Sequence, residues 1–175
     1  MTKYVAFLRA INVGGNAIIK MTDLKLMFES AGLENVQTYI QSGNVIFETE
    51  EKDIDAVKKR IERQLEGAAG YKIHLFVRTM REFQSIVSKS PFTAKANEMV
   101  YVAFLDQKPA PKSQQALLAL KNEADDLAVK GREVYHLRRD REKSALARTS
   151  IEKILKSPAT VRNMTTLTKI VKKYK

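Results

Sequence analysis

Cysteine is absent from the 175 residues of this chain, which excludes disulfide bonds, thiolate metal sites and a cysteine nucleophile together. No apolar run approaches the roughly 20 residues that a membrane-spanning helix needs. The N-terminus enters a strand-like segment without the basic, apolar and small-residue regions of a signal peptide. We therefore expect a cytoplasmic protein.

Histidine is scarce, with two residues in the chain. His74 lies in an apolar stretch, where a core or sheet-face role is expected, and His136 is expected on the solvent-facing side of a hairpin. The usual zinc ligand set is lacking, and no serine occupies a nucleophile elbow. We predict no metal and no cofactor, and any catalysis would rely on Arg, Lys and Asn side chains that clamp an anionic substrate.

One pentapeptide, Tyr-Val-Ala-Phe-Leu, occurs twice, at Tyr4–Leu8 and at Tyr101–Leu105. Each copy is short, apolar and rich in residues that favour β structure, so each predicts a buried strand. A glycine-centred hairpin follows in each half, around Gly43 and around Gly131. The duplication predicts one α+β unit used twice.

The first half predicts the strand and helix order βαββαβ, which is typical of a ferredoxin-like fold. The predicted strands are Lys3–Ala10, Val36–Gln41, Asn44–Thr49 and Tyr71–Val77, and the predicted helices follow Thr22 and Asp53 and end at Gly32 and near Gly67. A capping-box sequence from Thr79 to Glu82 then opens a helix that ends before Pro91.

The second half predicts βαββ followed by two basic helices where the first half has a helix and a strand. These elements are the strands Met99–Leu105, Asp126–Lys130 and Glu133–Arg138 and the helices Ser113–Glu123, Ser144–Lys156 and Met164–Tyr174. We thus predict an α+β protein with two ferredoxin-like subdomains, residues 1–92 and 93–175, the second with an extra basic helical C-terminus.

The net charge of +11 is concentrated near the C-terminus. Residues 138–175 contain 12 Lys and Arg against three acidic residues, a net charge of +9. Such a field concentrates phosphate-bearing ligands, although a basic surface also serves solubility alone.

The segment from Arg9 to Lys20 follows the first copy of the pentapeptide, and the second copy has no counterpart to it. The paired Gly14 and Gly15 allow backbone N–H groups to converge into an anion-binding nest, with Arg9, Asn12 and Lys20 as side-chain donors. The spacing fits neither a P-loop nor a dinucleotide-binding turn. A glycine-rich loop that only makes a tight bend explains the same residues.

Two further segments carry polar residues in suggestive places. Tyr39, Gln41, Ser42 and Asn44 surround the first hairpin turn and could read the polar edge of a ligand, although Ser, Gly and Asn are also ordinary turn residues. Thr160, Arg162 and Asn163 precede the last helix, whose N-terminus could seat a phosphate or carboxylate. Ordinary helix capping and a structural ion pair are the alternatives.

These three segments, Arg9–Gly15, Thr38–Val45 and Ala159–Asn163 with Thr166 and Lys169, are similar to the signatures of the uncharacterised bacterial family designated domain of unknown function 1697. The resemblance covers essentially the whole chain and implies a stand-alone cytoplasmic protein of two α+β subdomains, with no established activity. Ala10 stands where the family has glycine, and Met164 stands where it has an aromatic residue.

We expect a binding protein for a phosphate-bearing ligand, with nucleic acid favoured over a small nucleotide. Arg9→Ala and Arg162→Ala are then predicted to weaken binding and to leave the melting temperature nearly unchanged. One alternative is an enzyme that acts on a small anionic metabolite at the same site. Another is a structural protein whose motifs only join the two halves, so that these variants would unfold.

Overall fold

The computed structural model describes residues 1–9, 11 and 18–175. Its strands are β1 (Thr2–Leu8), β2 (Glu34–Tyr39), β3 (Asn44–Thr49), β4 (Leu75–Thr79), β5 (Met99–Leu105), β6 (Asp125–Lys130), β7 (Glu133–Arg138) and β8 (Ala159–Asn163). Its α-helices are α1 (Met21–Ser30), α2 (Ile54–Ala69), α3 (Met80–Ser88), α4 (Pro111–Leu118), α5 (Ile151–Leu155) and α6 (Met164–Tyr174). Among these described residues, no helix is long and apolar enough to cross a membrane.

The chain divides into two compact units. The first unit contains Met1–Phe83 together with Tyr174–Lys175, and the second unit contains Gln84–Lys173. The chain therefore leaves the first unit within α3 and returns to it at its last two residues. The subdomain boundary after residue 92 that we inferred from the sequence stays a prediction.

The first unit is a four-stranded antiparallel sheet in the order β2-β3-β1-β4, with α1 and α2 on one face. Because side chains alternate along a strand, Ala6 and Leu8 of β1 face the helices while Val5 and Phe7 face the opposite side. The core on the helix side joins these residues to the apolar stripes of the two helices, which are Leu24, Phe28, Val57, Ile61 and Leu65.

The second unit repeats this arrangement with the sheet order β6-β7-β5-β8. Ala103 and Leu105 of β5 occupy the places of Ala6 and Leu8 and pack against Leu117 of α4 and Ile151 of α5. The two copies of the pentapeptide are thus the equivalent central strands β1 and β5, and both units have the predicted ferredoxin-like fold.

Of the two basic helices predicted after Arg138, the second is confirmed as α6, whereas the first, Ser144–Lys156, is helical only over α5, and the strand β8 was not predicted. Ser144 is buried, Ala145–Ala147 form a single 3₁₀ turn, and α5 has five residues. The helix ends at Lys156, which adopts a left-handed conformation with φ of 53°, and β8 then pairs with β5. The second unit therefore has the complete order βαββαβ, followed by the basic helix α6.

Several predicted element ends are confirmed by hydrogen bonds. The Asp53 side chain accepts a bond from the backbone N–H of Ala56 at 3.0 Å, and Glu82 accepts bonds from the N–H and hydroxyl of Thr79. The end predicted near Gly67 lies two residues further on, because α2 continues to Ala69 and is capped by Gly70, whose φ is 76°. Gly70, unlike Gly67, has the left-handed conformation that ends a helix.

Candidate functional site

The segment after β1 lies mostly outside the described residues. Asn12, Gly14 and Gly15, the predicted core of the anion nest, are among the residues not described. Arg9 is half-buried, and its backbone N–H donates to the carbonyl of His74 at 2.9 Å. Lys20 is exposed at the N-cap of α1, where its carbonyl accepts from Leu24 N–H. The nest stays a prediction.

The first hairpin turn is held by its own polar residues. Asn44 is fully buried, and its side-chain amide donates to the carbonyl of Tyr39 and to the hydroxyl of Ser42, each at 2.9 Å. Gln41 and Ser42 are exposed at the tip. In this structure Asn44 therefore stabilises the turn, whereas Gln41 and Ser42 lie where a ligand could reach them.

The hairpin glycine is constrained by its surroundings as well as by its conformation. Gly43 has φ of 73°, and a Cβ atom there would lie 2.5 Å from Ile11 Cγ2 and 2.9 Å from Leu8 Cβ. Its carbonyl accepts the backbone N–H of Leu8 at 2.8 Å. The turn is thus packed directly against the end of β1, where the glycine-rich loop begins.

The junction between β8 and α6 buries its polar residues. The Arg162 guanidinium donates to the Thr160 hydroxyl at 2.8 Å and to the Val161 carbonyl at 3.0 Å, and burial lowers the pKa of Arg162 to about 10. Asn163 accepts the N–H of Thr166 at 2.8 Å and so caps α6. These contacts give all three predicted residues, Thr160, Arg162 and Asn163, structural roles within the second unit.

The same junction occurs in the first unit, which sequence reasoning missed. Arg78 on β4 is 2 % exposed, pairs in register with Val5, and donates to the carbonyl of Val77 at 2.9 Å. Arg162 on β8 pairs with Val102, the residue of β5 that corresponds to Val5. The signal was present in the sequence, because Val-Arg-Thr-Met at 77–80 and Val-Arg-Asn-Met at 161–164 are near-copies.

The predicted site residues are therefore described in two groups. Arg9, Lys20, Tyr39, Gln41, Ser42 and Asn44 belong to the first unit, and Thr160, Arg162 and Asn163 belong to the second. Within the first unit the structure brings Tyr39, Ser42 and Asn44 together. That the two groups share one ligand stays a prediction.

A cleft of about 560 Å³ lies within the second unit. One wall is α6, which contributes Lys169 and Lys172, and the facing wall is the segment 88–94, which contributes Phe92. Both lysines are exposed, and neither forms an ion pair within the part of the chain that the structure describes. The cleft is therefore lined by two positive charges and an aromatic ring.

Among the described residues that line this cleft, one is a carboxylate, Glu98, and it already has partners. Glu98 accepts the backbone N–H of Lys95 at 2.8 Å and lies 3.7 Å from Arg139 Nε. Glu98 thus pairs with Arg139 rather than with Lys169 or Lys172, and an anionic ligand could pair with these two lysines.

A buried polar cluster in the second unit was also missed. His136 Nε2 lies 2.6 Å from Asp125 Oδ1, the Ser144 hydroxyl donates to the same oxygen at 2.7 Å, and the Ala145 N–H donates to Oδ2 at 2.7 Å. The expectation of a solvent-facing His136 is wrong, since 6 % of the residue is exposed. Ser144 and His136 both bond to Asp125 rather than to each other, so this is not a Ser-His-Asp triad.

His74 in the first unit lies in a more exposed cluster. Its Nδ1 is 3.2 Å from Glu62 Oε1, and its ring meets Phe76 edge-on at 4.9 Å between centroids. Glu62 also accepts the N–H of Leu75 at 2.9 Å. Across the described residues, no group of three or more His, Cys, Asp or Glu side chains could hold a metal ion.

The two units define a class of α+β protein in which a ferredoxin-like fold occurs twice in one chain. Within that class, the family model described as "Protein of unknown function (DUF1697)" matches residues 1–135, and the chain belongs to that family. No curated protein matches the chain.

A solved structure supports the fold along the whole chain. It is that of the conserved bacterial protein SP0830 from Streptococcus pneumoniae, which is 22% identical to this chain. The match covers 99% of each chain with a TM-score of 0.77. At this identity the likeness shows the fold alone.

Proposed function

We propose that the protein binds a phosphate-bearing ligand, nucleic acid in preference to a free nucleotide, through the cleft between α6 and the segment 88–94. The observation that carries the proposal is the pair Lys169 and Lys172, which line a cleft of about 560 Å³ and form no ion pair with any residue that the structure describes. Ligand sites commonly occupy about 300–1,000 Å³, so the cleft is large enough for a nucleotide unit.

The chemistry of the walls favours nucleic acid. Lys169 and Lys172 are three residues apart on one helix, so their ammonium groups are on the same side of α6 and can contact neighbouring phosphates. Phe92 on the facing wall provides a ring on which a base can stack, which contributes about 1–3 kcal/mol per base in single-strand binders. Thr93 adds a hydroxyl group for the sugar and phosphate oxygens.

The charge distribution supports the same ligand class. Residues 138–175 carry a net charge of +9, and α6 belongs to that segment. Because long-range attraction concentrates polyanions near such a surface, the basic segment would raise the local concentration of nucleic acid around the cleft. The burial of Arg162 argues that the exposed lysines contact the phosphates more directly than Arg162 does.

The test is fluorescence anisotropy of labelled single-stranded RNA and duplex DNA over a series of salt concentrations. We expect log Kd to rise with log salt, with a slope of about 0.7–0.9 for each phosphate neutralised. The variant K169Q/K172Q should weaken binding and reduce that slope by about 1.4–1.8. The matched control is K108Q/K112Q, which removes the same charge from exposed lysines outside the cleft.

Three outcomes would count against the proposal. If the protein does not bind nucleic acid at low salt, the basic segment serves solubility alone. If K169Q/K172Q and K108Q/K112Q weaken nucleic-acid binding equally, the nucleic acid is attracted by the overall charge and does not bind in the cleft. Turnover of a small anionic metabolite in an activity screen, with saturation at the same cleft, would favour the enzyme alternative.

A further inference from the structure

A second cavity, of about 230 Å³, lies over the β5–β7 side of the sheet in the second unit. Its floor contains Tyr101 and His136, which are cross-strand partners with stacked rings 5.8 Å apart between centroids. Its cover is the chain from Ser144 to Ile151, and Ser144 is fixed by its bond to Asp125. The cavity shares no residue with the cleft against α6.

His136 presents a hydrogen-bond acceptor in this cavity. Its Nε2 points at Asp125 Oδ1 at 2.6 Å, and because an ionised carboxylate only accepts, the neutral ring carries its proton on Nε2. The ring has no other hydrogen bond within the described residues. Because His136 lines the cavity, Nδ1 is the ring nitrogen that remains available to a ligand there.

The environment keeps this acceptor unprotonated. Burial lowers the pKa of His136, and the positive charge of Arg138 lowers it further, while the contact with Asp125 opposes both effects. Burial tends to raise the pKa of Asp125, but hydrogen bonds from His136, Ser144 and Ala145 outweigh burial and lower it. Both groups thus hold the charge states that the hydrogen bond requires.

Arg138 adds a positive charge at the same cavity. It lies two residues beyond His136 on the same face of β7, about 7 Å along the strand. Its Cζ is 4.9 Å from the centre of the Tyr101 ring, and it forms no ion pair with any described residue. An acceptor nitrogen and an unneutralised guanidinium thus face one small volume.

We propose that this cavity is a second ligand site, which takes a small hydroxylated anion. The ligand hydroxyl donates to His136 Nδ1, and its carboxylate or phosphate oxygens pair with Arg138. Asp125 is a positioning residue that fixes the tautomer and orientation of the His136 ring. The volume of about 230 Å³, below that of drug-sized pockets, limits the ligand to a small molecule.

Imidazole NMR tests the proposal directly, because the chain contains two histidines and their signals can be separated. Long-range ¹H–¹⁵N spectra of the free protein at neutral pH should show His136 with its proton on Nε2. A proton on Nδ1 would overturn the proposal before any ligand is added.

The binding arm uses glycolate and glycerol 3-phosphate as hydroxylated probes and acetate as the probe without a hydroxyl group. We expect glycolate or glycerol 3-phosphate to shift the His136 signals saturably, more tightly than acetate, and to leave His74 unchanged. Tighter binding of glycolate would show that the site prefers a carboxylate, and tighter binding of glycerol 3-phosphate would show that it prefers a phosphate. No saturable shift of His136 with either probe would overturn the proposal.

The variant arm compares Arg138→Gln with Arg141→Gln. Arg138→Gln should weaken probe binding by at least about tenfold, as expected for the loss of one charge-assisted hydrogen bond. Arg141 is exposed and does not line the cavity, so its variant should bind like the parent. Equal effects of both variants would show a general charge effect and would overturn the site. Because the cleft lysines are untouched, this result is independent of nucleic-acid binding.

Discussion

At the scale of single residues, Gly43 combines a left-handed backbone with the absence of space for a side chain. Gly43→Ala should destabilise the protein by about 2–5 kcal/mol, the sum of about 1–2 kcal/mol for the conformation and about 1–3 kcal/mol for overpacking against Leu8 and Ile11. Urea unfolding of the variant measures the loss.

Gly131, the turn glycine of the second hairpin, is the matched control. Its φ is 60°, but a Cβ atom there would meet nothing closer than Glu133 Oε2 at 3.9 Å. Gly131→Ala should therefore show the conformational cost of about 1–2 kcal/mol alone. Equal losses in the two variants would mean that the contacts around Gly43 add nothing.

Arg162 shows how burial changes an expectation drawn from sequence. Its side chain is enclosed beside Thr160 and bonded to backbone and hydroxyl oxygens, so Arg162→Ala leaves a cavity and unpaired acceptors. We expect a loss of about 2–4 kcal/mol in stability, measured by urea unfolding, and less than about 0.5 kcal/mol for the exposed Arg141→Ala. An unchanged stability with weakened ligand binding would instead support the role inferred from sequence.

At the scale of elements, the junction from strand to helix has the same structure at both of its occurrences, β4–α3 and β8–α6. In each case a buried arginine is the second-to-last residue of the strand. The last residue of the strand, Thr79 or Asn163, caps the following helix. Asn163→Ala should cost about 1 kcal/mol of stability, whereas Asn163→Asp should retain the cap. Thermal unfolding of the two variants checks this, and equal losses would show that the cap is not what Asn163 contributes.

Much of the element order could be predicted from the sequence, because strong local signals coincide with the tertiary structure. The pentapeptide strands, the Asp53 cap and the capping box at Thr79 are examples. β8 was missed because five residues after Pro158, flanked by lysine-rich segments, give little periodicity. Its strand character comes from pairing with β5, a long-range contact that local propensity does not report.

The side-chain contacts of the candidate sites were harder to predict from the sequence than the order of the elements. Asp125 and His136 lie 11 residues apart and meet because the hairpin register places Asp125 opposite Arg138, diagonal to His136. Ser144 reaches Asp125 only because the chain after β7 folds back over the sheet. The hairpin register around Gly131 predicts the contact between Asp125 and His136. No local sequence pattern predicts the contact between Asp125 and Ser144.

At the scale of the whole molecule, stability should depend on pH through the Asp125–His136 pair. The pKa of His136 is lowered from 6.5, so the unfolded chain takes up a proton that the folded protein resists, and stability falls as the pH drops below about 6.5. The pKa of Asp125 is also lowered, so its contribution, present above 3.8, is lost at lower pH still. The charged and titratable groups around His136 are Asp125, Arg138 and Tyr101.

His136→Gln tests the first part of this pH dependence. As the pH falls from 6.5 toward 3.8, the variant should lose stability less steeply than the parent, because it has no imidazole at position 136 to protonate. Urea midpoints measured across that range give the comparison. Identical pH profiles would assign the loss to other groups.

Because the last two residues of the chain belong to the first unit, the order of the two repeats along the chain could be exchanged. The Lys3 ammonium donates to the carbonyl of Tyr174 at 3.3 Å, and the Tyr174 ring meets Tyr39 edge-on. Lys3 and Tyr174 are therefore neighbours in space, and such closeness of the two ends is the condition for circular permutation. A short linker from Lys175 to Met1, with new ends in the exposed stretch between Lys95 and Asn97, would give a chain in which the second repeat precedes the first and every strand keeps its partners.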